Sequence, residues 1–182
     1  MKRILYILLT ISIVFSACKK EDPEVVAPTV VNGCTDPNAL NYDALANTDD
    51  GSCNYPPSFE VSGDAVISGS ANEQLTSHLT VTNVSHKTLN VRCRINLISQ
   101  PSGTLVTFCW AETCYAEGTL VSIEAVSMNS DQVVVFPDLR AHSGYYNANG
   151  DKNAIAEIEY CFYDDDNPTD ETCFTVTFDP SL

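Results

Sequence analysis

The strongest constraint on this chain is a two-residue alternation of apolar and polar side chains that recurs through residues 59–180. In "HLTVTNV", Leu79 and Val81 alternate with threonines, and in "VRCRINL" apolar residues alternate with Arg92 and Arg94. This period places successive side chains on opposite faces of a half-buried antiparallel strand. No segment keeps a helical period for more than two turns, so the alternation predicts an all-β domain.

Turn residues divide this region into seven or eight short strands, which favours an immunoglobulin-like β-sandwich over any α/β fold. About 120 residues, 59–180, are enough for one such sandwich and too few for a second core. "HSGYYNANGDKN" is rich in Asn and Gly and is predicted to be a loop spanning residues 142–153. Besides the two strands above, strands are predicted at 59–68, 104–110, 120–127, 132–136, 155–163 and 173–178.

The same alternation assigns the cysteines to faces of the sheet. On the last two predicted strands, Cys161 and Cys173 fall at the positions that alternate with apolar residues, which is the polar side of each strand. Cys93 instead falls at an apolar position of its strand, so its parity is opposite. We therefore expect a cross-strand Cys161–Cys173 disulfide on the outer face and a buried free thiol at Cys93. The alternative is an antibody-like bridge between Cys93 and Cys161 with Trp110 packed on it, which would require Cys161 to face inward.

The remaining cysteines also pair best as disulfides. Cys109 and Cys114 lie in "FCWAETCY", whose spacing differs from the C-x-x-C of thiol oxidoreductases and from common zinc-ligand spacings. A disulfide closing a tight loop is the favoured interpretation. A third bridge, between Cys34 and Cys53, suits an oxidising extracytoplasmic compartment.

The N-terminus predicts where the protein is sent. Lys2 and Arg3 precede a 12-residue apolar stretch, "ILYILLTISIVF", that is too short to span a bilayer. The following "FSAC" resembles the lipobox of bacterial lipoproteins. That resemblance implies that residues 1–17 are removed as a signal peptide and that Cys18 carries acyl chains, palmitate among them. The alternative is a plain secretory signal that leaves Cys18 as a spare thiol.

Residues 18–32 are predicted to be a lipidated tether, because they contain prolines and no periodicity. "KKED", residues 19–22, resembles the export signal of Bacteroidetes surface lipoproteins, which implies an outward-facing position on the outer membrane. Removal of residues 1–17 takes away two cations and no acid, which changes the net charge from −15 to −17. Such acidity excludes nucleic acid as a partner, so attachment to the membrane must come from lipid. The chain ends four residues after Phe178, and we expect no appended type IX sorting domain.

The segment "GCTDPNALNYDALANTDDGSC", residues 33–53, is predicted to be a mini-module closed by the Cys34–Cys53 disulfide. It resembles a recurrent short module, G-C-T-D-P-x-A-x-N-Y-x-x-x-A-x-x-D-D-G-S-C, in surface proteins of the same bacteria. A purely structural role is favoured, because acids do not fall at the EF-hand positions that precede Gly51. Calcium is the alternative cofactor, and its candidate ligands are Asp36, Asp43, Asp49 and Asp50.

A second resemblance covers roughly residues 75–178. "FCWAETCY", followed by a Gly/Asn-rich loop and a final hairpin with an N-P-x-D turn, is similar to an uncharacterised immunoglobulin-like domain of secreted Bacteroidetes proteins. The resemblance implies a sandwich fold and no known enzymatic activity. The paired Cys161 and Cys173 depart from that family's usual hairpin.

No catalytic motif is present in the sequence. It contains neither a G-x-S-x-G nucleophile elbow nor a glycine-rich phosphate loop, and the three histidines are predicted to be solvated surface residues. A weak metal contact between His78 and His86 is the alternative. Aromatic residues on predicted loops are the candidate ligand contacts, namely Trp110, Tyr115, Tyr145 and Tyr146, although all of them can equally be packing residues.

The sequence therefore predicts a lipid-anchored, outward-facing protein with a non-catalytic binding or structural role and an unknown extracellular protein or glycan as partner. The alternatives are an accessory subunit of an outer-membrane uptake complex, which would carry an exposed apolar patch, and a glycan-binding or hydrolase-associated domain. A pocket lined by Asp or His with displaced pKa values would favour the hydrolase-associated interpretation.

Overall fold

The structure is a computed structural model that describes residues 28–138 and 140–182. The predicted signal peptide, the lipidation residue Cys18 and most of the tether lie outside the described residues. The chain divides between Cys53 and Asn54 into two compact units, and each is described by itself. A search of the described residues finds no helix with the length and apolar character to cross a membrane.

Strands are the only regular elements of the described residues, which contain no helix. In chain order they are β1 (Asn32–Gly33), β2 (Thr48–Asp49), β3 (Phe59–Gly63), β4 (Val66–Ser68), β5 (Gln74–Asn83), β6 (Leu89–Ser99), β7 (Leu105–Trp110), β8 (Thr113–Tyr115), β9 (Val126–Met128), β10 (Val133–Val134), β11 (His142–Asn147), β12 (Ala156–Asp164) and β13 (Asn167–Asp179).

The larger unit is a sandwich of two sheets, as the alternation predicted. One sheet has the order β10-β5-β11-β7-β8, and β3 also pairs with β5 outside this order. The second sheet has the order β4-β13-β12-β6-β9. Nearly all pairings are antiparallel, and the exception in this unit is the parallel pair β4 and β13. The all-β, immunoglobulin-like fold class is therefore confirmed.

Aromatic side chains from both sheets fill the space between them. Trp110 on β7 is fully buried, with its ring centroid 5.1 Å from that of Phe162 on β12, and its indole Nε1 donates to the carbonyl of Val91 at 2.9 Å. Tyr146 and Phe178 form a second contact between the sheets, at 5.4 Å between centroids. Packing of this kind supplies most of the favourable free energy of folding in a sandwich.

Gly144 on β11 is required by close packing in this core. A Cβ atom at this position would collide with the hydroxyl end of Tyr160 and would lie 2.6 Å from Ser77 Oγ. Any other residue here would force the two sheets apart.

All three predicted disulfides are confirmed. They join Cys34 to Cys53, Cys109 to Cys114 and Cys161 to Cys173, and the remaining described cysteine, Cys93, is a buried free thiol. Cys161 stands directly opposite Cys173 in the β12–β13 ladder, with Cα atoms 4.0 Å apart. The antibody-like bridge between Cys93 and Cys161 is excluded, because Cys161 is bonded to Cys173 on the outer face of the sheet.

Several predicted element boundaries are wrong. The predicted loop 142–153 begins with the strand β11, which pairs with both β5 and β7 in the middle of its sheet. The predicted strand 59–68 is two strands, β3 and β4, because the chain passes from one sheet to the other at residues 64–65. Most of the predicted strand 120–127 is irregular, although the Ile95 amide still donates to the Leu120 carbonyl at 2.8 Å.

The smaller unit is held by backbone pairing and one disulfide. β1 and β2 form a two-residue parallel pair, and the amide of Asp43 donates to the carbonyl of Cys34 at 2.9 Å. Cys34 is fully buried, although the unit has few other buried residues. So small a unit depends on its cross-link for stability.

Candidate binding face

The outer surfaces of the two sheets differ in charge. On the sheet containing β6, β12 and β13, Arg94 pairs with Glu171 at 2.5 Å, and Arg92 pairs with Asp165 at the hairpin turn at 3.1 Å. The guanidinium of Arg94 also lies 5.9 Å from the ring centroid of Tyr163. We call this surface the charged face and define it by the outward residues of the three strands: Arg92, Arg94, Asn96, Glu157, Glu159, Cys161, Tyr163, Glu171, Cys173, Thr175 and Thr177.

The outer surface of the other sheet carries no charged side chain across its three central strands. We call it the neutral face and define it by the outward residues of β5, β11 and β7 where these strands pair: Gln74, Thr76, His78, Asn147, Tyr145, Ser143, Leu105, Thr107 and Cys109. None of the nine is Asp, Glu, Lys or Arg, although the chain has 24 acids and nine Lys and Arg residues. Nine adjacent uncharged positions make this face distinct in so acidic a protein.

Ladder register arranges the neutral face in rows. Tyr145 at the centre is directly opposite Thr76 on one side and Thr107 on the other, and it is half buried. Ser143 occupies the next row, where His78 Nδ1 lies 3.0 Å from its Oγ. With strands about 4.8 Å apart and about 3.4 Å per residue, the face measures roughly 10 Å by 14 Å.

The borders of the neutral face are apolar. Phe136, 56% exposed, stacks on His78 with ring centroids 4.3 Å apart. On the opposite border lies the Cys109–Cys114 disulfide, in which Cys109 is nearly buried and Cys114 is exposed. The face is therefore a sheet surface of hydroxyl, amide and ring groups between an exposed aromatic side chain and a disulfide.

Three of the four predicted aromatic ligand contacts are wrong, because their side chains are buried. Trp110 and Tyr146 are inaccessible to solvent, and Tyr115 is 5% exposed. Each hydroxyl or indole group is used internally: Tyr146 donates to the carbonyl of Ala154 at 2.5 Å, and Tyr115 accepts from the amides of Ile123 and Glu124. Tyr145 alone lies on an accessible face.

The four candidate calcium ligands lie in the smaller unit, and each stabilises its own local turn. Oδ1 of Asp36, Asp43, Asp49 and Asp50 accepts a hydrogen bond from the amide two residues further on, at 2.9–3.0 Å. Such contacts are the ordinary structural use of aspartate in turns. They lower the pKa of Asp50, chiefly through its contact with Ser52.

One trio of potential metal ligands converges within residues 28–138 and 140–182. It consists of Glu159 and the sulfurs of Cys161 and Cys173. Because these sulfurs are bonded to each other, they offer no thiolate to a metal. The predicted calcium site in the smaller unit does not involve this trio and stays a prediction.

The most strongly displaced pKa values belong to groups sealed between the sheets. Burial lowers the pKa of His142 to about 3, with a smaller contribution from the charge of His78, and burial raises the pKa values of Cys93 and Tyr160. His142 is completely buried, so the prediction of three solvated histidines is wrong for this residue, although His78 and His86 are exposed. Groups without access to solvent cannot act on an external substrate.

One open depression of about 310 Å³ lies at the end of the sandwich, lined by Glu112, Glu124, Ser127 and Arg140 among others. Arg140 is held by two contacts to the carboxylate of Asp138, at 3.1 and 2.7 Å, which lower the pKa of Asp138 to about 2. Glu124 accepts from Thr113 Oγ1 at 2.9 Å. Arg140 and Glu124 are thus each held by a partner outside the lining, and no aligned nucleophile and base faces the depression among the described residues.

Fold and surface together define an immunoglobulin-like sandwich, and comparison with solved structures agrees with that class. No protein-family model and no curated protein matches the chain. The N-terminal domain of PorA is similar to it, with a TM-score of 0.50, 14% identity, and coverage of 66% of this chain and 96% of that one.

Two further structures are more distant. A FixG-related protein from Vibrio parahaemolyticus has a TM-score of 0.43 and 11% identity, with 70% of this chain and 99% of that chain covered. A PapD-like domain of human CEP192 has a TM-score of 0.39 and 10% identity, with 86% and 96% covered. At these identities the likeness concerns the fold alone.

Proposed function

We propose that this protein is a lipid-anchored, surface-displayed binding protein without catalytic activity, and that the neutral face is its binding surface. The observation that carries the proposal is the absence of charge from nine adjacent outward positions in a chain of net charge −15. Charged residues are depleted at the cores of protein interaction surfaces, because each one must be desolvated on binding.

The contrast between the two faces supports this assignment. Threonine, cysteine and tyrosine occur on both faces, but the charged face places arginine and glutamate between them. A solvated outer face tolerates charge at no cost, so packing alone does not explain why one face lacks it. Selection for binding an uncharged surface accounts for the difference.

The lipid anchor rests on the sequence features at Cys18. A basic n-region, a 12-residue apolar stretch and "FSAC" fit a bacterial lipoprotein, and "KKED" fits outward display on the outer membrane. Several acyl chains on Cys18 would hold the protein stably, because each buried methylene contributes about 0.8 kcal/mol. A tether on the membrane side leaves the sandwich free to meet extracellular ligands.

Anchoring is tested by metabolic labelling with palmitate and by protease treatment of intact cells. We expect wild type to incorporate label and to be cleaved on intact cells, and Cys18→Ala to lose both the label and the membrane association. A labelled protein that resists protease until the outer membrane is opened would contradict outward display. Label that persists in Cys18→Ala would contradict the assignment of the lipidated residue.

Binding is tested by displaying full-length variants on cells and measuring the extracellular material that they retain. Thr107→Lys places a charge on the neutral face directly beside Tyr145, and Thr175→Lys places the same charge on the charged face opposite Glu159. We expect Thr107→Lys to lose retained material and Thr175→Lys to keep it. Equal retention by the two variants, with equal melting temperatures, would overturn the neutral face as the binding surface.

A further inference from the structure

The chemical groups of the neutral face restrict what it can bind. Six of its nine side chains carry hydroxyls or carboxamides, which both donate and accept hydrogen bonds. Ser143 is 7% exposed and contacts His78, which leaves five of them for a ligand: Gln74, Thr76, Thr107, Tyr145 and Asn147. A phosphate or carboxylate ligand would need donors with positive charge, and the face has none. A ligand that itself presents uncharged groups able to donate and accept makes the best use of these side chains.

Net charge excludes several other occupants. At −15, the chain repels anionic polymers and also a second copy of itself, so a self-associated sheet pair is disfavoured. A protein partner would need apolar anchors that enter pockets. The central ring here, Tyr145, is half buried, and the depression of about 310 Å³ is lined by other residues.

The shape of the face favours an extended ligand. Three strands in register form a continuous sheet surface in which Tyr145 lies between Thr76 and Thr107. Phe136, stacked on His78, adds a second ring at the border. Aromatic rings accept the apolar face of a ligand while the neighbouring hydroxyls hold its polar edge.

We infer that the neutral face binds an uncharged, extended polysaccharide, with Tyr145 as the stacking residue and Thr76, Thr107 and Asn147 as hydrogen-bonding residues. This inference rests on the proposed function, since it names the ligand class of the same surface. Sugar chains present hydroxyl edges and apolar C–H faces together, which matches the alternation of hydroxyls and rings on the face. Because the polymer is uncharged and the nine positions of the face carry no Asp, Glu, Lys or Arg, binding is insensitive to ionic strength.

The test titrates the purified full-length protein, in detergent, with soluble polysaccharides by calorimetry and by affinity electrophoresis. Dextran, galactomannan, xyloglucan and mixed-linkage β-glucan are the uncharged probes, and alginate and polygalacturonate are the charged controls. We expect at least one uncharged polymer to bind with the same affinity at 0.05 and 0.5 M NaCl. The charged polymers are expected not to bind.

Substitutions on the two faces test whether the polysaccharide binds at the neutral face. Tyr145→Ala should weaken binding by about tenfold, since stacking on one ring contributes up to about 1.5 kcal/mol, and Tyr145→Phe should keep most of it. Thr107→Lys should weaken binding, and Thr175→Lys should bind as wild type. Each variant is first shown to melt as wild type does, so that loss of fold is not read as loss of binding.

Two results would overturn the inference in different ways. If no uncharged polymer binds but Thr107→Lys still loses retained material on cells, the polysaccharide is wrong and the binding face stands. If an uncharged polymer binds and no variant of the neutral face weakens its binding, the ligand class stands but the site is wrong, and the neutral face as the proposed binding surface fails with it.

Discussion

At the scale of single residues, His142 is the side chain least suited to its surroundings. Its ring lies 4.3 Å from that of Tyr160 and 5.6 Å from that of Phe162, and neither ring nitrogen has a hydrogen-bond partner. The pKa of about 3 means that the ring stays neutral in the folded protein at any ordinary pH. In the unfolded chain the same ring is protonated below about pH 6.5.

This difference makes the free energy of unfolding depend on pH. Below pH 6.5 the unfolded state binds a proton that the folded state does not, so stability falls as the pH falls toward 3, by about 1.4 kcal/mol per unit. We expect wild type to lose about 2 kcal/mol more than His142→Leu between pH 7 and pH 5 in urea unfolding. Comparing the two proteins removes the contribution of the carboxylates, which is the same in both. An equal loss of unfolding free energy in wild type and His142→Leu would contradict a buried neutral ring.

At the scale of elements, the β7–β8 hairpin contains backbone strain on the border of the neutral face. Its two turn residues, Ala111 and Glu112, have φ values of 57° and 68°. Two-residue hairpins of this kind favour Asn-Gly, since other residues in the left-handed region cost about 1–2 kcal/mol each. The Cys109–Cys114 disulfide closes the hairpin around a turn sequence that does not favour it.

Replacing Glu112 with glycine should relieve part of this strain. We expect Glu112→Gly to raise the free energy of unfolding by about 1 kcal/mol, as measured in urea, because glycine adopts positive φ without a Cβ clash. Glu117→Gly is the matched control, since Glu117 is also exposed but has no positive φ. A gain no larger than that of the control would show that the turn is relaxed.

The mini-module, residues 33–53, is stabilised by its cross-link and its aspartate turns. Each of the four aspartates already accepts a backbone hydrogen bond, so we expect the same melting curve in calcium and in chelator. Replacing Cys34 and Cys53 with serine should cost about 3 kcal/mol and abolish hydrogen-exchange protection of the Asp43 amide. A melting temperature raised by calcium would instead establish the calcium site.

At the scale of the whole molecule, the sandwich and the Cys161–Cys173 disulfide could be predicted from the sequence because both depend on alternation. Parity alone placed Cys161 and Cys173 outward and Cys93 inward, as the structure has them. β11 was missed because Gly144 and the surrounding asparagines are typical of loops, whereas here the glycine allows Tyr160 to pack against the strand.

The neutral face was missed for a related reason. The parity of Thr76 and Thr107 is readable in the sequence, but their adjacency depends on β11 lying between β5 and β7. Tyr145 was selected as a loop aromatic, and its accessible position is instead that of a central strand residue. The burial of Trp110, Tyr115 and Tyr146 likewise depends on packing between sheets, which local sequence does not encode.

We propose that the neutral face, and not the charged face, meets the extracellular ligand. Photo-crosslinking on intact cells tests it most directly, with p-benzoylphenylalanine placed at Thr107 in one full-length protein and at Thr175 in another. The account predicts adducts of higher mass from position 107 and none above background from position 175. Adducts from position 175 alone, or equal adducts from both positions, would contradict it.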